Sequence, residues 1–195
     1  GRARTEKTLF AGERYTLGHY EQDDDETNGA EEITWIVLKT SEDGRQGLLI
    51  SEQGLDRKRY QEGYVNANWE DCSIRAWLNN TFYEEAFSEE EKAVIMKTTI
   101  APEVIEGAVT DPGGVTEDAV FLLSMEEAEA YFASGEERIC LPTEYAIRQG
   151  AMVCHDNGAC WWWLRTPGYD CNVAARVVND GSIIASGCVN QDLYC

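Results

Sequence analysis

The sequence predicts an α+β fold in which β-rich segments at both ends flank a middle of short helices. Near the N-terminus, ITWIVLKT and RQGLLIS are rich in β-branched and aliphatic residues, and the turn signal SEDG joins them as a hairpin. Near the C-terminus, VVNDGSII places Asp180-Gly181 between apolar residues, which is a strong hairpin signal. Strands gathered at the two ends favour an α+β fold over a doubly wound sheet.

The middle of the chain carries the signals of short helices. After Asp71, which we expect to be an N-cap, apolar residues recur at helical spacing: Ile74, Trp77, Leu78 and Phe82. Three further helix boundaries are expected: Ser88 with Glu91, Ser124 with Glu127, and Thr143 with a stop at Gly150. The stretch APEVIEGAVTDPGGVTEDAV between two of these helices predicts a loop.

The composition excludes several classes of partner. The 195 residues carry a formal net charge of -20, so the chain repels phosphate backbones, and we expect no nucleic-acid binding. No apolar run approaches the length of a membrane span, and we expect no direct membrane insertion. The chain starts with Gly1 rather than Met, which suggests that a leader or other segment has been removed. This leaves the compartment open, with the cell surface or secretion favoured.

The seven cysteines form neither an even framework nor a CxxC pair, so a disulfide scaffold and a structural zinc site have little support. We expect Cys72 and Cys140 to be buried free thiols. Cys154 and Cys160 can pair with each other or, with the adjacent His155, offer metal-ligand types. A histidine beside an Asn-Gly turn is more typical of a solvated loop, so we expect no metal and no other cofactor.

No catalytic constellation stands out in the sequence. There is no Gly-x-Ser-x-Gly motif and no phosphate loop, and both His19 and His155 lie in predicted loops. The run Asp23, Asp24, Asp25 lacks the interleaved spacing of a calcium loop and is more typical of a solvated acidic loop. The sequence leaves enzymatic activity uncertain and favours a protein that is not an enzyme.

Residues 166–195 differ in composition from the rest of the chain. They contain no Lys and no Glu, although solvated faces usually carry both. Strand alternation places small and apolar residues on one face of the predicted hairpin: Ala175, Val177, Ile183 and Ala185. The opposite face carries a chemical mixture: Arg176, Val178, Ser182, Ile184 and Ser186. This face is either plain solvated surface or a surface for adaptable contacts.

The run of three tryptophans before this segment also allows two interpretations. Indole rings can form a platform on which sugars stack, or they can fill the core. We favour core packing for at least two of the three rings, with Trp161 the most exposed because it lies at the edge of the run.

Several stretches together resemble a known bacterial family of domains of unknown function, which is marked by a Trp-Trp-Leu-Arg-Ser/Thr-Pro-Gly signature. The matching stretches cover most of the chain from residue 18 onward: GHYEQ, ITWIVLKT with GLLIS, WEDCSIRAWLNNTFYEEAFSEEEK, FLLSMEEAEAYF, RICLPTEYAIRQGA, WWWLRTPG and AARVVNDGSI. That family is similar to the C-type-lectin-like fold of formylglycine-generating enzymes and of the variable proteins of diversity-generating retroelements.

The resemblance implies a compact scaffold with short helices, small twisted antiparallel sheets and much irregular loop. It places Trp162, Trp163, Leu164 and Arg165 in the structural frame, residues 1–17 in an N-terminal arm and residues 18–195 in one domain. It also implies that residues 166–195 form a diversified surface for a protein or glycan ligand. The implied ligand-binding residues are Tyr169, Asp170, Cys171, Asn172, Arg176, Val178, Ile184, Ser186, Cys188, Asn190, Asp192 and Tyr194, with Cys195 as a further diversified position.

The chain departs from the family in one respect and leaves two other functions open. The family usually continues into a Val-Arg-Pro-Ala-like closing strand, whereas this chain stops at Cys195, so we expect a larger parent chain or a partner that supplies a strand. One alternative function is a copper-dependent thiol oxidase of formylglycine-generating type, with Cys188 and Cys195 as the metal-binding pair. The other is a non-binding structural module of a larger surface protein.

Overall fold

The structure, a computed structural model, describes residues 8–190 and Cys195. It confirms the α+β class, because one antiparallel sheet lies near the N-terminus, another near the C-terminus, and short helices lie between them. The predicted positions Asp192 and Tyr194, and much of the predicted N-terminal arm, lie outside the described residues.

The first sheet consists of β1 (Arg14–Tyr20), β2 (Glu31–Thr40) and β3 (Gly47–Ser51), in that order and all antiparallel. The predicted hairpin of β2 and β3 is confirmed. Residues 14–16 pair with β2 as part of this sheet.

The register of β1 against β2 shifts near Gly18, where the backbone adopts a φ of +76°. A Cβ atom at this position would lie 2.6 Å from the Phe87 ring, so the close approach also requires glycine. The Gly18 amide donates to the Glu91 carboxylate at 2.7 Å. This contact fastens β1 to the helical middle of the chain.

The first helical segment is continuous and comprises α1 (Ser73–Trp77), a π-helical turn (Leu78–Phe82) and α2 (Tyr83–Ala86). Its predicted apolar positions pack into the core, as expected. The expectation that Asp71 caps this helix is wrong, because Cys72 is the N-cap residue and makes no side-chain cap. The side-chain oxygen of Gln61 accepts the Ser73 amide instead, at 2.8 Å.

The other helices begin where their capping patterns predict. They are α3 (Glu89–Lys92), α4 (Met125–Tyr131), a 3-10 turn (Glu136–Arg138) and α5 (Glu144–Arg148). Both capping boxes are present, Thr143 caps α5, and Gly150 follows the end of α5 with a φ of +97°. None of the helices in the described part of the chain has the length and apolar character needed to cross a bilayer.

Two short strand pairs were not predicted. β5 (Thr98–Ile100) pairs with β6 (Thr116–Asp118) in an antiparallel ladder. The predicted loop of residues 101–120 is therefore wrong at its end, because it contains β6. β4 (Gln53–Gly54) pairs in parallel with β7 (Leu141–Pro142). Neither pair is long enough to show an alternating pattern in the sequence.

The second large sheet has the order β10-β9-β8 and consists of β8 (Trp162–Pro167), β9 (Val173–Val177) and β10 (Ile183–Cys188). The turn at Asp180-Gly181 joins β9 to β10, which confirms the predicted hairpin. In this turn Gly181 has a φ of +80° and donates its amide to the Val178 carbonyl at 2.9 Å.

β8 contributes to both of the main core clusters. Trp163 lies in the cluster that joins the first sheet to the helical segment, whereas Leu164 lies in the cluster between α4 and the second sheet. Trp162 and Trp161 are half-buried and pack against these clusters. The predicted core role is therefore confirmed for Trp163, and the other two rings pack against the core at its edge. That Trp161 is the most exposed of the three stays a prediction.

The buried carboxylate of Asp118 links the first helical segment to the pair of strands β5 and β6. Asp118 is fully buried, and it accepts hydrogen bonds from Trp69 Nε1 at 2.9 Å and from Arg75 Nε at 2.7 Å. Thr116 donates to the same carboxylate at 2.7 Å. A buried charge needs such partners, because water no longer solvates it.

We predict that Asp118→Asn destabilises the fold by about 2 kcal/mol, because the charge-assisted hydrogen bond to Arg75 is lost while the shape of the side chain is kept. Urea unfolding followed by tryptophan fluorescence measures the change. The matched control is Glu117→Gln, an exposed neighbour on the same strand, which should stay within about 0.5 kcal/mol of the wild type. Equal unfolding midpoints for the two variants would contradict the role of Asp118.

Candidate functional site

The residues predicted to bind a ligand include exposed, half-buried and buried side chains. Tyr169, Asp170, Ile184 and Ser186 are exposed. Five others are half-buried: Cys171, Asn172, Arg176, Cys188 and Asn190. Whether any of them binds a ligand stays a prediction.

The expectation that Val178 lies on the outward face is wrong, because its side chain is buried. β9 ends at Val177, and the Val178 amide already belongs to the turn, where it donates to the Ser182 carbonyl at 2.9 Å. The alternation of side chains holds only within a strand, so it does not extend to this position.

Arg176 lies on the outward side of the hairpin together with its cross-strand neighbour Ile184. Its guanidinium lies 4.5 Å from the centre of the Trp161 ring, a distance typical of a cation–π contact. The indole nitrogen of Trp161 donates to Asn179 Oδ1 at 3.0 Å. The arginine therefore covers one face of the Trp161 ring, and that face is not open for a sugar to stack on.

Three loops meet around the turn between β8 and β9, and we call them together the three-loop surface: residues 61–71, 101–114 and 168–172. The Ala67 amide donates to the Cys171 carbonyl at 2.9 Å, and the Val109 amide donates to the Tyr169 carbonyl at 3.1 Å. The Thr110 hydroxyl donates to the Gly168 carbonyl at 2.9 Å. Backbone hydrogen bonds thus fix the two outer loops to the predicted recognition turn.

Each of the three loops carries exposed apolar side chains. The exposed fractions are 61% for Tyr64, 50% for Val65, 66% for Val104, 73% for Val109 and 53% for Tyr169. Four of these residues were not predicted from the sequence, because they lie far from Tyr169 along the chain. Only Tyr169 was predicted, from the change of composition after Pro167.

The charge of the three-loop surface has one sign. Its exposed acidic residues include Glu62, Glu106, Asp111 and Asp170, whereas these three ranges contain no Lys and no Arg. Beneath the outer loops lies the buried carboxylate of Asp118, which is bonded to Trp69 at the base of the first loop. The surface is therefore apolar, acidic and supported from below.

A group of carboxylates lies in the acidic loop near the N-terminus. Glu21, Asp23 and Glu31 each bring one oxygen within 4.8 Å of the others. Burial and the charge of Glu31 raise the pKa of Glu21, whereas a hydrogen bond from Asn28 lowers the pKa of Asp23. Glu31 also accepts the Gln22 amide at 2.7 Å, so part of this group serves the local turn. Exposed acidic groups of this kind are common without an ion.

The cysteines are all free thiols. The expected burial of Cys72 is confirmed, but Cys140 is half-buried rather than buried. The possible pairing of Cys154 with Cys160 is contradicted, because Cys160 lies opposite Val153 in a β-bridge, and adjacent residues point to opposite sides. The Cys154 sulfur instead accepts a hydrogen bond from Asn179 at 3.2 Å.

The fold defines an α+β domain with two antiparallel sheets around short helices. Residues 44–194 match the family described as Domain of unknown function (DUF6273), and the chain belongs to this family. No curated protein and no solved structure matches the chain. The predicted membership in a family of domains of unknown function is thereby confirmed, whereas the relation to the C-type-lectin-like fold and to retroelements stays a prediction.

We predict that Cys72 resists alkylation in the folded protein. Burial raises the pKa of its thiol to about 12, so little thiolate is present near pH 8, and the side chain is only 1% exposed. Iodoacetamide labelling followed by peptide mass spectrometry should show Cys72 unmodified in native buffer and modified in urea. Cys171, which is half-buried, serves as the internal control and should react first. Labelling of both cysteines at the same rate would contradict the burial of Cys72.

Proposed function

We propose that the domain is a recognition module that binds a protein ligand through the three-loop surface and the exposed side chains of β10. The observation that carries this proposal is the meeting of three loops, each with exposed large apolar side chains, at the turn that contains Tyr169. Exposed apolar side chains that gather in one region mark interaction sites, whereas scattered ones need no explanation.

The backbone hydrogen bonds of the loops support binding with little loss of entropy. Because the Val109 and Ala67 amides are bonded to the recognition turn, the loops need not become ordered when a ligand arrives. Tyrosine is well suited as an anchor, since it offers a large rigid ring and one hydroxyl. Tyr64 and Tyr169 are therefore our candidates for the anchor positions.

The chemistry of the surface favours a protein over a glycan. Exposed valines such as Val104 and Val109 offer no hydrogen bonds to sugar hydroxyls, but they pack well against apolar side chains. The surrounding acidic residues favour a ligand with Lys or Arg around an apolar centre. Such a ligand would associate faster at low salt, because the whole chain carries a net charge of -20.

We further propose that the scaffold is C-type-lectin-like and that its exposed C-terminal positions vary between copies of the domain, as in retroelement variable proteins. The support for this is that most of the described candidate positions are exposed or half-buried, whereas the signature residues Trp163, Leu164 and Arg165 are buried. Variation at the exposed positions leaves the buried frame unchanged.

We predict that Tyr169→Ala and Val109→Ser each weaken ligand binding about tenfold or more, because each removes an exposed anchor from the three-loop surface. Peptides selected from a displayed random library by the immobilised wild-type domain serve as probes, with affinities measured by biolayer interferometry. The matched control is Val94→Ser, an equally exposed valine outside the three-loop surface, which should bind like the wild type.

Three outcomes would count against this prediction. Selected peptides that bind the Tyr169 and Val109 variants as tightly as the wild type would place the binding site elsewhere. Binding on a glycan array, without any selected peptide, would replace the protein ligand by a glycan. No salt dependence of the association rate would remove the role of the acidic residues.

We predict that the encoding locus holds a near-copy of the sequence for residues 160–195 beside a reverse-transcriptase gene. Differences between the two copies should fall at adenines and change exposed or half-buried positions such as Tyr169, Asn172 and Ser186, but not Trp163 or Arg165. Sequencing of the locus is the measurement. The absence of a template copy would indicate a fixed binding surface, and differences at the buried positions would contradict the proposed scaffold.

A further inference from the structure

Three cysteines that are far apart in the sequence meet at β4. The sulfurs of Cys160 and Cys195 both lie beside Gly54, and Cys140 faces Cys160 in an antiparallel β-bridge. We call Cys140, Cys160 and Cys195 the thiol centre. It includes none of the residues of the three-loop surface.

Gly54 shows how closely the thiol centre is packed. A Cβ atom on this residue would lie 2.8 Å from the sulfur of Cys195 and 3.0 Å from the sulfur of Cys160. Both sulfurs therefore occupy the space that the side chain of any residue other than glycine would need at position 54. The parallel pairing of Gly54 with Pro142 holds this backbone in place.

The backbone geometry of Cys140 and Cys160 suits covalent bonding, and the sulfurs of Cys160 and Cys195 lie on the same side of Gly54. Cys140 and Cys160 face each other in an antiparallel bridge, and the Cys160 amide donates to the Cys140 carbonyl at 2.9 Å. Directly opposed residues in such a ladder have Cα atoms about 4.5–5.5 Å apart, a distance that a disulfide spans. Cys195 is held against β8, because its amide donates to the Trp161 carbonyl at 2.8 Å and its carbonyl accepts the Trp163 amide at 3.2 Å.

The thiol centre is accessible from one side. Cys140 and Cys195 line the wall of an apolar cavity of about 770 Å³, whereas Cys160 is fully buried between them. A small molecule in the cavity can therefore reach the two outer thiols but not the central one.

We propose that the thiol centre is a site of thiol–disulfide exchange with low-molecular-weight disulfides, in which Cys160 bonds alternately to Cys195 and to Cys140. In the first step the Cys195 thiolate attacks one sulfur of the small disulfide, releases one small thiol and leaves a mixed disulfide. The Cys160 thiol then loses its proton to solvent base, attacks the Cys195 sulfur and releases the second small thiol. One small disulfide is reduced to two thiols, and two protein thiols become one disulfide.

The bond can then move within the thiol centre. The Cys140 thiolate attacks the Cys160 sulfur, forms the Cys140–Cys160 bond and releases Cys195 as a thiolate, so no further oxidant is needed. The hydrogen bond with Cys140 lowers the pKa of Cys160, but the hydrogen bond with Cys195 and burial raise it more. Closure of the disulfide by Cys160 should therefore become faster as the pH rises from 7 to 9.

The test uses the whole chain in a buffer of oxidised and reduced glutathione, followed by trapping with N-ethylmaleimide and mapping by peptide mass spectrometry. We expect Cys160 in disulfides with both Cys195 and Cys140. Cys195→Ser should leave only the bond between Cys140 and Cys160, and Cys140→Ser only the bond between Cys160 and Cys195. The matched control is Cys188→Ser, which should leave the disulfide pattern unchanged. Cys188 lies on β10, opposite Val173 of β9, and not in the thiol centre.

Two results would overturn the proposal. One is a Cys160 that stays fully trapped as a free thiol while Cys140 and Cys195 carry glutathione. The other is a dominant disulfide between Cys195 and Cys188 or Cys171. Since Cys140→Ser and Cys195→Ser each keep one predicted bond, the test does not depend on the folding of a Cys160 variant. A failure here would leave the proposed recognition function untouched, because that function uses other residues.

Discussion

The buried guanidinium of Arg165 is the interaction on which the arrangement of this domain depends. It is buried, with the Phe121 ring 5.9 Å away, and a charge in that position is tolerated only with partners. Glu127 supplies the opposite charge, and the carbonyl of Leu122 accepts a further hydrogen bond at 2.9 Å. Glu127 also completes the capping box of α4. One carboxylate therefore caps this helix and neutralises the charge of Arg165 on β8. Removal of the Glu127 side chain would leave the Arg165 charge buried without its counter-ion and the first turn of α4 without its capping group.

β8 can therefore serve as the frame for segments that have little regular structure of their own. The three indole nitrogens of Trp161 and of the first two residues of β8 each donate a hydrogen bond to a different segment. Trp161 donates to Asn179, Trp162 to the Arg138 carbonyl at 3.0 Å, and Trp163 to the Lys58 carbonyl at 3.0 Å. The Tyr60 hydroxyl adds a hydrogen bond to the Arg165 carbonyl at 2.9 Å. Loops attached to a strand fixed at so many points can change their exposed side chains without loss of the fold, which is what a recognition module requires.

The parts of the structure that could be predicted from the sequence are those that neighbouring residues determine. The capping boxes at Ser88 and Ser124, the Asp180-Gly181 turn and the helical spacing after Cys72 depend on contacts across a few residues. The parts that could not be predicted depend on pairs that are distant in the chain, such as Gln61 on the Ser73 amide or Asp118 beneath Trp69. The three-loop surface and the thiol centre are of this second kind. Both were hidden because no periodicity connects a loop at residue 65 with one at residue 169, or Cys140 with Cys195.

The described C-terminal residues contribute to both proposed sites. Val189 bonds to the three-loop surface, and Cys195 belongs to the thiol centre. The Val189 amide donates to the Asn172 carbonyl at 3.1 Å, and the Val189 carbonyl accepts the Gln61 amide at 2.9 Å. Cys195 exchanges backbone hydrogen bonds with Trp161 and Trp163, and its sulfur lies beside Gly54 together with that of Cys160. Oxidation of the thiol centre would therefore leave the residues that are proposed to contact the ligand unchanged.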